Sequence, residues 1–274
     1  MVVGVMGLIA IWGITQSVIV AAVITVIEIF GLLFVVFWGL AMVEPLGLTP
    51  VQMVPPVLGD HWIGIASASL LAFFAFVGFE DMANIAEEVK DPTKTMPRAI
   101  IWTLVLATLL YIATTVSVLM VVPMEKLTSE TGSLMLVFDG APIQVKQAFG
   151  VVAVVATVNG VLIQMIMASR VLYGLADRGH LPNVLATVSA RTRTPIVATV
   201  LIMAVIALLS LTMPIDALAQ WTSQIVLFVF VLVNLSLIRL KWAGQVNGDY
   251  FQIPLVVPIW GVITSMALFT TAFL

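Results

Sequence analysis

Long apolar runs separated by short polar connections dominate the chain. Seven of them, roughly 18–41, 62–84, 99–122, 146–169, 195–213, 217–239 and 253–274, reach the length of about 20 mostly apolar residues that a spanning helix needs. Residues 1–12 are apolar as well, but about 12 residues at 1.5 Å rise cannot cross a roughly 30 Å hydrocarbon core. Joined to 18–41 they would make an overlong helix, so a break is expected near Gly13–Gln16. The opening segment then reads as the tail of a span, and Leu274 falls inside or at the end of an apolar run. The expectation is one all-α transmembrane domain over residues 1–274, present as a fragment.

The polar connections set an orientation. The 85–98 connection carries Lys90, Lys94 and Arg98, 168–194 carries Arg170, Arg178, Arg191 and Arg193, and 239–252 carries Arg239 and Lys241. Nine of the eleven basic residues therefore share one side, against Lys126 and Lys146 opposite. The positive-inside rule assigns the three basic loops to the cytoplasm of a multi-pass cell-membrane protein. Spans of alternating direction agree with that assignment.

Composition narrows the class. With 62% hydrophobic and 9% charged residues and a mean hydropathy of +1.19, the chain could not cover itself with polar surface, and lipid removes that need. No cysteine occurs and only two histidines, His61 and His180, so thiol chemistry and a His-rich metal site drop out. No HExxH, GxSxG or Walker A pattern is present, so an enzyme is not expected, nor a cofactor or a nucleic-acid partner. A channel should show a re-entrant polar filter or charged rings, and none stands out.

One span departs from the rest. Phe73, Phe74, Phe76 and Phe79 surround Gly78, and Glu80 and Asp81 follow at once. Each such carboxylate near the bilayer centre costs about 2.5–3.5 kcal/mol on insertion scales. Two readings stand on the residues alone. The helix unwinds at Gly78 and exposes backbone groups to a polar cavity, as discontinuous transporter helices do. Alternatively Gly78 packs a helix crossing and the carboxylates already lie among headgroups, Glu80 being roughly 27 Å along from Trp62.

The run GFEDMANIAEEVKDPTKTMPRAI resembles the sixth-helix signature of amino acid permeases in the amino acid–polyamine–organocation superfamily. That signature reads aromatic-x-G-F-[DE], then A-E-E-x-K-[ND]-P, then P-R-[AS]-I. In order along the chain, GITQSVIVAAVITVIEIFGLLF resembles the fifth helix and ASRVLYGLADRGHLPNVLATVSARTRTP the end of the eighth with its loop. VFVLVNLSLIRLK resembles the tenth and IPLVVPIWG the eleventh. The resemblance implies a partial leucine-transporter-type fold of two inverted five-helix repeats, lacking most of the first repeat. It implies a secondary transporter of an amino acid or related amine, coupled to a proton or to sodium, or exchanging. The family's first helix, which holds the substrate carboxylate, has no counterpart here, so this chain alone is not expected to transport. The alternatives are a non-transporting truncated product or a membrane assembly or channel subunit.

Carried over by position, the resemblance implies that Phe74, Ala75 and Val77 offer carbonyls to the substrate ammonium. Gly78 gives the unwound backbone room and Phe79 gates the substrate. Glu80 matches an acidic position of proton-sensing carriers; otherwise it is a helix-end carboxylate bonded to nearby amides. Glu28, ten residues into 18–41, stands where several relatives carry a lysine. A glutamate there suits a proton or cation, or a neutral interhelical hydrogen bond. Thr157, Gly160 and Gln164 share one face of 146–169, with Asn159 beside them. Gln164 matches a pocket-lining position, whereas Thr157 and Asn159 read as hydrogen-bond glue between helices. Pro92 is expected to stop one helix and Pro97 to open the next, with Lys94 and Arg98 at lipid headgroups. Arg170 and Arg178, beside Asp177, suit the same anchoring or an inner gate.

Overall fold

The computed structural model describes residues 2–12, 14–42, 61–129, 134–244 and 251–273, and among these it is all-helical, with no strand. The helices are α1 (Val2–Trp12), α2 (Ile14–Met42), α3 (His61–Phe74), α4 (Pro92–Val121), α5 (Met124–Ser129), α6 (Ile143–Asp177), α7 (Ile196–Thr212), α8 (Ile215–Trp242) and α9 (Val256–Thr270). Among the described residues six stretches are long and apolar enough to cross a membrane: Ala22–Ala41, Trp62–Asn84, Pro92–Val121, Ile143–Asp177, Ile215–Trp242 and Val256–Phe273. The stretch around 195–213 forms α7, a shorter apolar helix of 17 residues, about 25 Å long. By contrast α6, at 35 residues or about 52 Å, outruns the hydrocarbon core. Large apolar side chains such as Phe30, Phe37, Trp102 and Leu109 point outward, as lipid-facing residues do.

Two helix boundaries differ from the expectation. Of the expected break at 13–16, residue 13 lies outside the described residues, whereas 14–16 belong to α2. Pro92 does not stop a helix; it opens α4, and Pro97 lies inside it. The physical reason is that Asp91 takes the left-handed turn (φ 50) and its carbonyl accepts the Lys94 and Thr95 amides at 3.0 and 2.9 Å. Proline at the first helical position has no amide to leave unpaired, so the helix starts there.

The chain divides into two compact units. The first comprises residues 1–51 and 106–211, and its core is built where α2 and α6 meet. Phe138 is fully buried there, with the rings of Phe34, Trp38 and Phe149 at 5.6, 5.9 and 4.7 Å. Small residues let the helices approach: Val152 lies 2.8 Å from where a Cβ on Gly31 would sit, and Ser117 occupies that place beside Gly39. Ser117 Oγ donates to the Val35 carbonyl at 3.3 Å, a side-chain bond from α4 to α2. At one end Asp139 accepts a 2.6 Å hydrogen bond from Lys126, with Lys146 3.7 Å away, and this holds its carboxyl below the usual aspartate range.

The second unit comprises residues 52–105 and 212–274. In it α8 packs against α3 and α9. Asn234 of α8 fills the space beside Gly261 of α9 while its own amide donates to the Phe230 carbonyl at 2.8 Å. Helix α3 stops abruptly, and that ending positions the candidate site.

Candidate functional site

The apolar run from His61 stays α-helical only to Phe74. Beyond it the backbone tightens: the amides of Ala75, Phe76 and Val77 donate to the carbonyls three residues back, of Ala72, Phe73 and Phe74, at 3.2, 2.9 and 3.1 Å. Gly78 then turns to φ 118, ψ −19, a left-handed conformation closed to most side chains. From Phe79 to Glu88 the chain continues as a ten-residue 3-10 helix. Such helices rarely exceed a few residues, because their hydrogen bonds are poorly aligned, and long ones mark strain or a functional hinge.

The carbonyls expected to face a substrate differ among themselves. That of Phe74 is engaged by the Val77 amide. That of Val77 accepts no hydrogen bond among the described residues, and it stands immediately before the glycine turn. Phe74 and Ala75 are exposed, while Val77, Gly78, Phe79 and Glu80 are half-buried. Glu80 folds back so that its Oε2 accepts the Gly78 amide at 2.8 Å. This is the helix-end arrangement: a carboxylate satisfies the donor that the broken helix frees, and a charged acceptor makes that bond strong. Asp81 accepts a 3.2 Å bond from the Asn84 side chain.

Phe79 does not stand alone. Its ring lies 5.7 Å from that of Phe230 on α8, and Phe73 meets Phe230 edge-on at 6.0 Å. Phe230 thus brackets both sides of the break, an aromatic arrangement of favourable geometry. The sequence shows Phe230 only as one more apolar residue of a span, about 150 positions downstream by simple numbering.

The remaining candidates lie in the first unit. Glu28 of α2 is half-buried and accepts a 2.9 Å hydrogen bond at Oε1 from the Asn159 side chain of α6. Thr25 Oγ1 lies 3.5 Å from the same amide nitrogen. Asn159 itself is 1% exposed, and its Oδ1 has no hydrogen-bond partner. Thr157, Gly160 and Gln164 occupy an exposed face of α6, turned away from that burial, with Thr157 bonded to the Ala153 carbonyl of its own helix at 2.9 Å. Among the described residues no group of three or more His, Cys, Asp or Glu comes together to hold a metal ion.

Comparison with known proteins adds an independent line. The family profile described as Amino acid permease matches residues 1–274. The Branched-chain amino acid permease BcaP of Bacillus subtilis is 30% identical over 207 residues, covering 75% of this chain and 44% of its own length. Cationic amino acid transporter 3, mitochondrial, of Arabidopsis thaliana is 27% identical over 231 residues, 84% of this chain and 38% of its own. An uncharacterized transporter of Mycobacterium tuberculosis is 31% identical over 210 residues, 76% and 47% respectively. The chain spans less than half the length of these curated relatives.

Proposed function

The chain belongs to the amino acid permease family, and from that premise we propose that its Gly78 break is the ammonium-recognising part of an amino acid transport site. One observation carries this reading: the Val77 carbonyl accepts no hydrogen bond among the described residues, immediately before a turn that ends α3 in the middle of a candidate span. An ammonium group carries three N–H donors and no acceptor, so it suits such a carbonyl, and a second lone pair on the Phe74 oxygen adds to it. Phe79, backed by Phe230, covers the site as an apolar lid. The arrangement fits the second half of a leucine-transporter-type fold, in which discontinuous helices bind substrate near the midplane.

The family as a whole supports amino acids as the substrate class. The names of the relatives diverge on the side chain, branched-chain for one and cationic for another. A backbone site for the shared ammonium accommodates both. Glu28 and Glu80 are the ionisable groups suited to coupling; Glu80 acts through the Gly78 amide it holds, so a change in its charge reaches the break directly. The loops 85–98, 168–194 and 239–252 face the cytoplasm in this reading.

The test is a titration of the purified chain carrying a carbonyl-13C label at valine, with the Val77 signal assigned by substitution. An amino acid and its methyl ester, both of which keep the ammonium, should shift the Val77 carbonyl; the N-acetyl derivative should leave it in place. Equal shifts by all three, or by none, would overturn the proposal.

A further inference from the structure

Asn159 is the most deeply buried polar side chain facing an ionisable group in the first unit, and only half of its amide is used. Nδ2 donates to Glu28 Oε1 at 2.9 Å, whereas Oδ1 is left without a partner. A buried acceptor without a donor is a defect in most folded chains, and it calls for an explanation. An ionised Glu28 cannot supply the donor, because a carboxylate has only acceptors. A protonated Glu28 can.

We propose that Glu28 and Asn159 form a proton site, in which the acid and the amide pair through two hydrogen bonds once Glu28 is protonated. One proton from solution adds to Glu28 Oε2 and converts the carboxylate to a neutral acid, with no other covalent change. The acid carbonyl keeps the Asn159 N–H, and its new O–H turns to the orphaned Oδ1. The ionised form satisfies one polar atom of the amide and the protonated form satisfies both. Each state of the acid keeps at least one hydrogen bond to the amide. The pair is therefore built to hold either state inside an apolar helix bundle.

A metal ion fits the same geometry poorly. Hard cations need a cage of oxygens, and here the amide turns its N–H, not its oxygen, toward the carboxylate. Thr25 offers one hydroxyl, 3.5 Å from that same nitrogen. Neighbouring charges do not decide the site either. Helix α1 and the segment Leu134–Phe138 carry no ionisable group, and α2 carries none but Glu28. On α6 the nearest are Lys146, Arg170, Tyr173 and Asp177, at least eleven residues from Asn159, or about 16 Å along the axis. The part of α4 in this unit has Tyr111, and Glu125, Lys126 and Asp139 belong to the segments around the Phe138 end of the core.

This inference rests on the reading of Glu28 as a coupling residue, and its test needs no transport. Infrared difference spectra of the purified chain between mildly alkaline and mildly acidic buffer should show a protonated carboxyl band that Glu28→Gln removes. In Asn159→Leu that band should move to higher wavenumber, because the acid loses both hydrogen bonds. The second measurement is thermal unfolding of Glu28→Gln. A glutamine carries both a donor and an acceptor, so it mimics the protonated acid, and the part of the pH dependence of Tm that Glu28 contributes should be lost. That comparison stands if Asn159→Leu does not fold. A band unmoved by Asn159→Leu, or a Tm profile unchanged by Glu28→Gln, would overturn the pairing. So would a sodium-dependent, pH-independent signal from Glu28, which would assign the site to a metal ion. Signals that behave as stated but do not respond to an added amino acid would count against the coupling role alone.

Discussion

Gly78 concentrates the residue-scale argument. Its φ of 118 is available to glycine at little cost, whereas an L side chain there is strained whatever space surrounds it. Gly78→Val is expected to lower stability by about 1–3 kcal/mol, read from denaturant unfolding of the purified chain. If instead the break is a passive consequence of packing, the loss should be a few tenths of that. Glu80 belongs to the same device, since its carboxylate takes up the amide that the turn exposes. The run Gly-Phe-Glu is visible in the sequence as a helix interruption with a costly charge. In the structure the Glu80 carboxylate accepts the Gly78 amide, a contact set by torsion angles that the sequence does not record.

Among the helices, packing depends on where side chains are missing. In lipid no hydrophobic gain distinguishes a neighbouring helix from a lipid tail, so close backbone approach and interhelical hydrogen bonds do the holding. Gly39 illustrates both, because Ser117 fills the space a Cβ would take and donates its hydroxyl to the Val35 carbonyl one turn away. Gly39→Leu should force α2 and α4 apart and cost about 1–3 kcal/mol, as overpacking does, with a matching fall in Tm in detergent. Ser117→Gly made together with it should recover part of the loss. Recovery would fail if the two sites acted independently. The helices themselves were legible beforehand, since apolar length alone demands that the backbone satisfy its own hydrogen bonds. Their pairing was not, and the role of Asn159 shows why. It reads as generic glue on α6, yet its partner is 131 positions away on α2.

For the molecule as a whole, charge placement carries the remaining prediction. The basic residues gather in the three connections 85–98, 168–194 and 239–252, and the chain has no native cysteine to interfere with labelling. Single cysteines placed at Lys94, Arg191 and Lys241 should react with a membrane-impermeant maleimide only from the cytoplasmic side. Cysteines at Lys126 and Lys146 should react only from the other. Labelling of both groups from one face would reverse or void the orientation.

The sequence by itself determined that this is a multi-pass membrane protein of the amino acid permease family, because composition, span length and a long motif each act locally along the chain. It also marked Gly78, Glu80 and Glu28, since a break or a charge inside an apolar run is anomalous without reference to neighbours. Tertiary structure alone decided what those residues meet. Phe230 flanks the break on both sides, the Phe74 carbonyl is taken up by a turn while that of Val77 is not, and Glu28 shares a half-used amide with Asn159. The second of these relations turns on local backbone torsions, whereas the first and last join residues far apart in the chain. They depend on how helices approach and rotate, which no periodicity of apolar residues records.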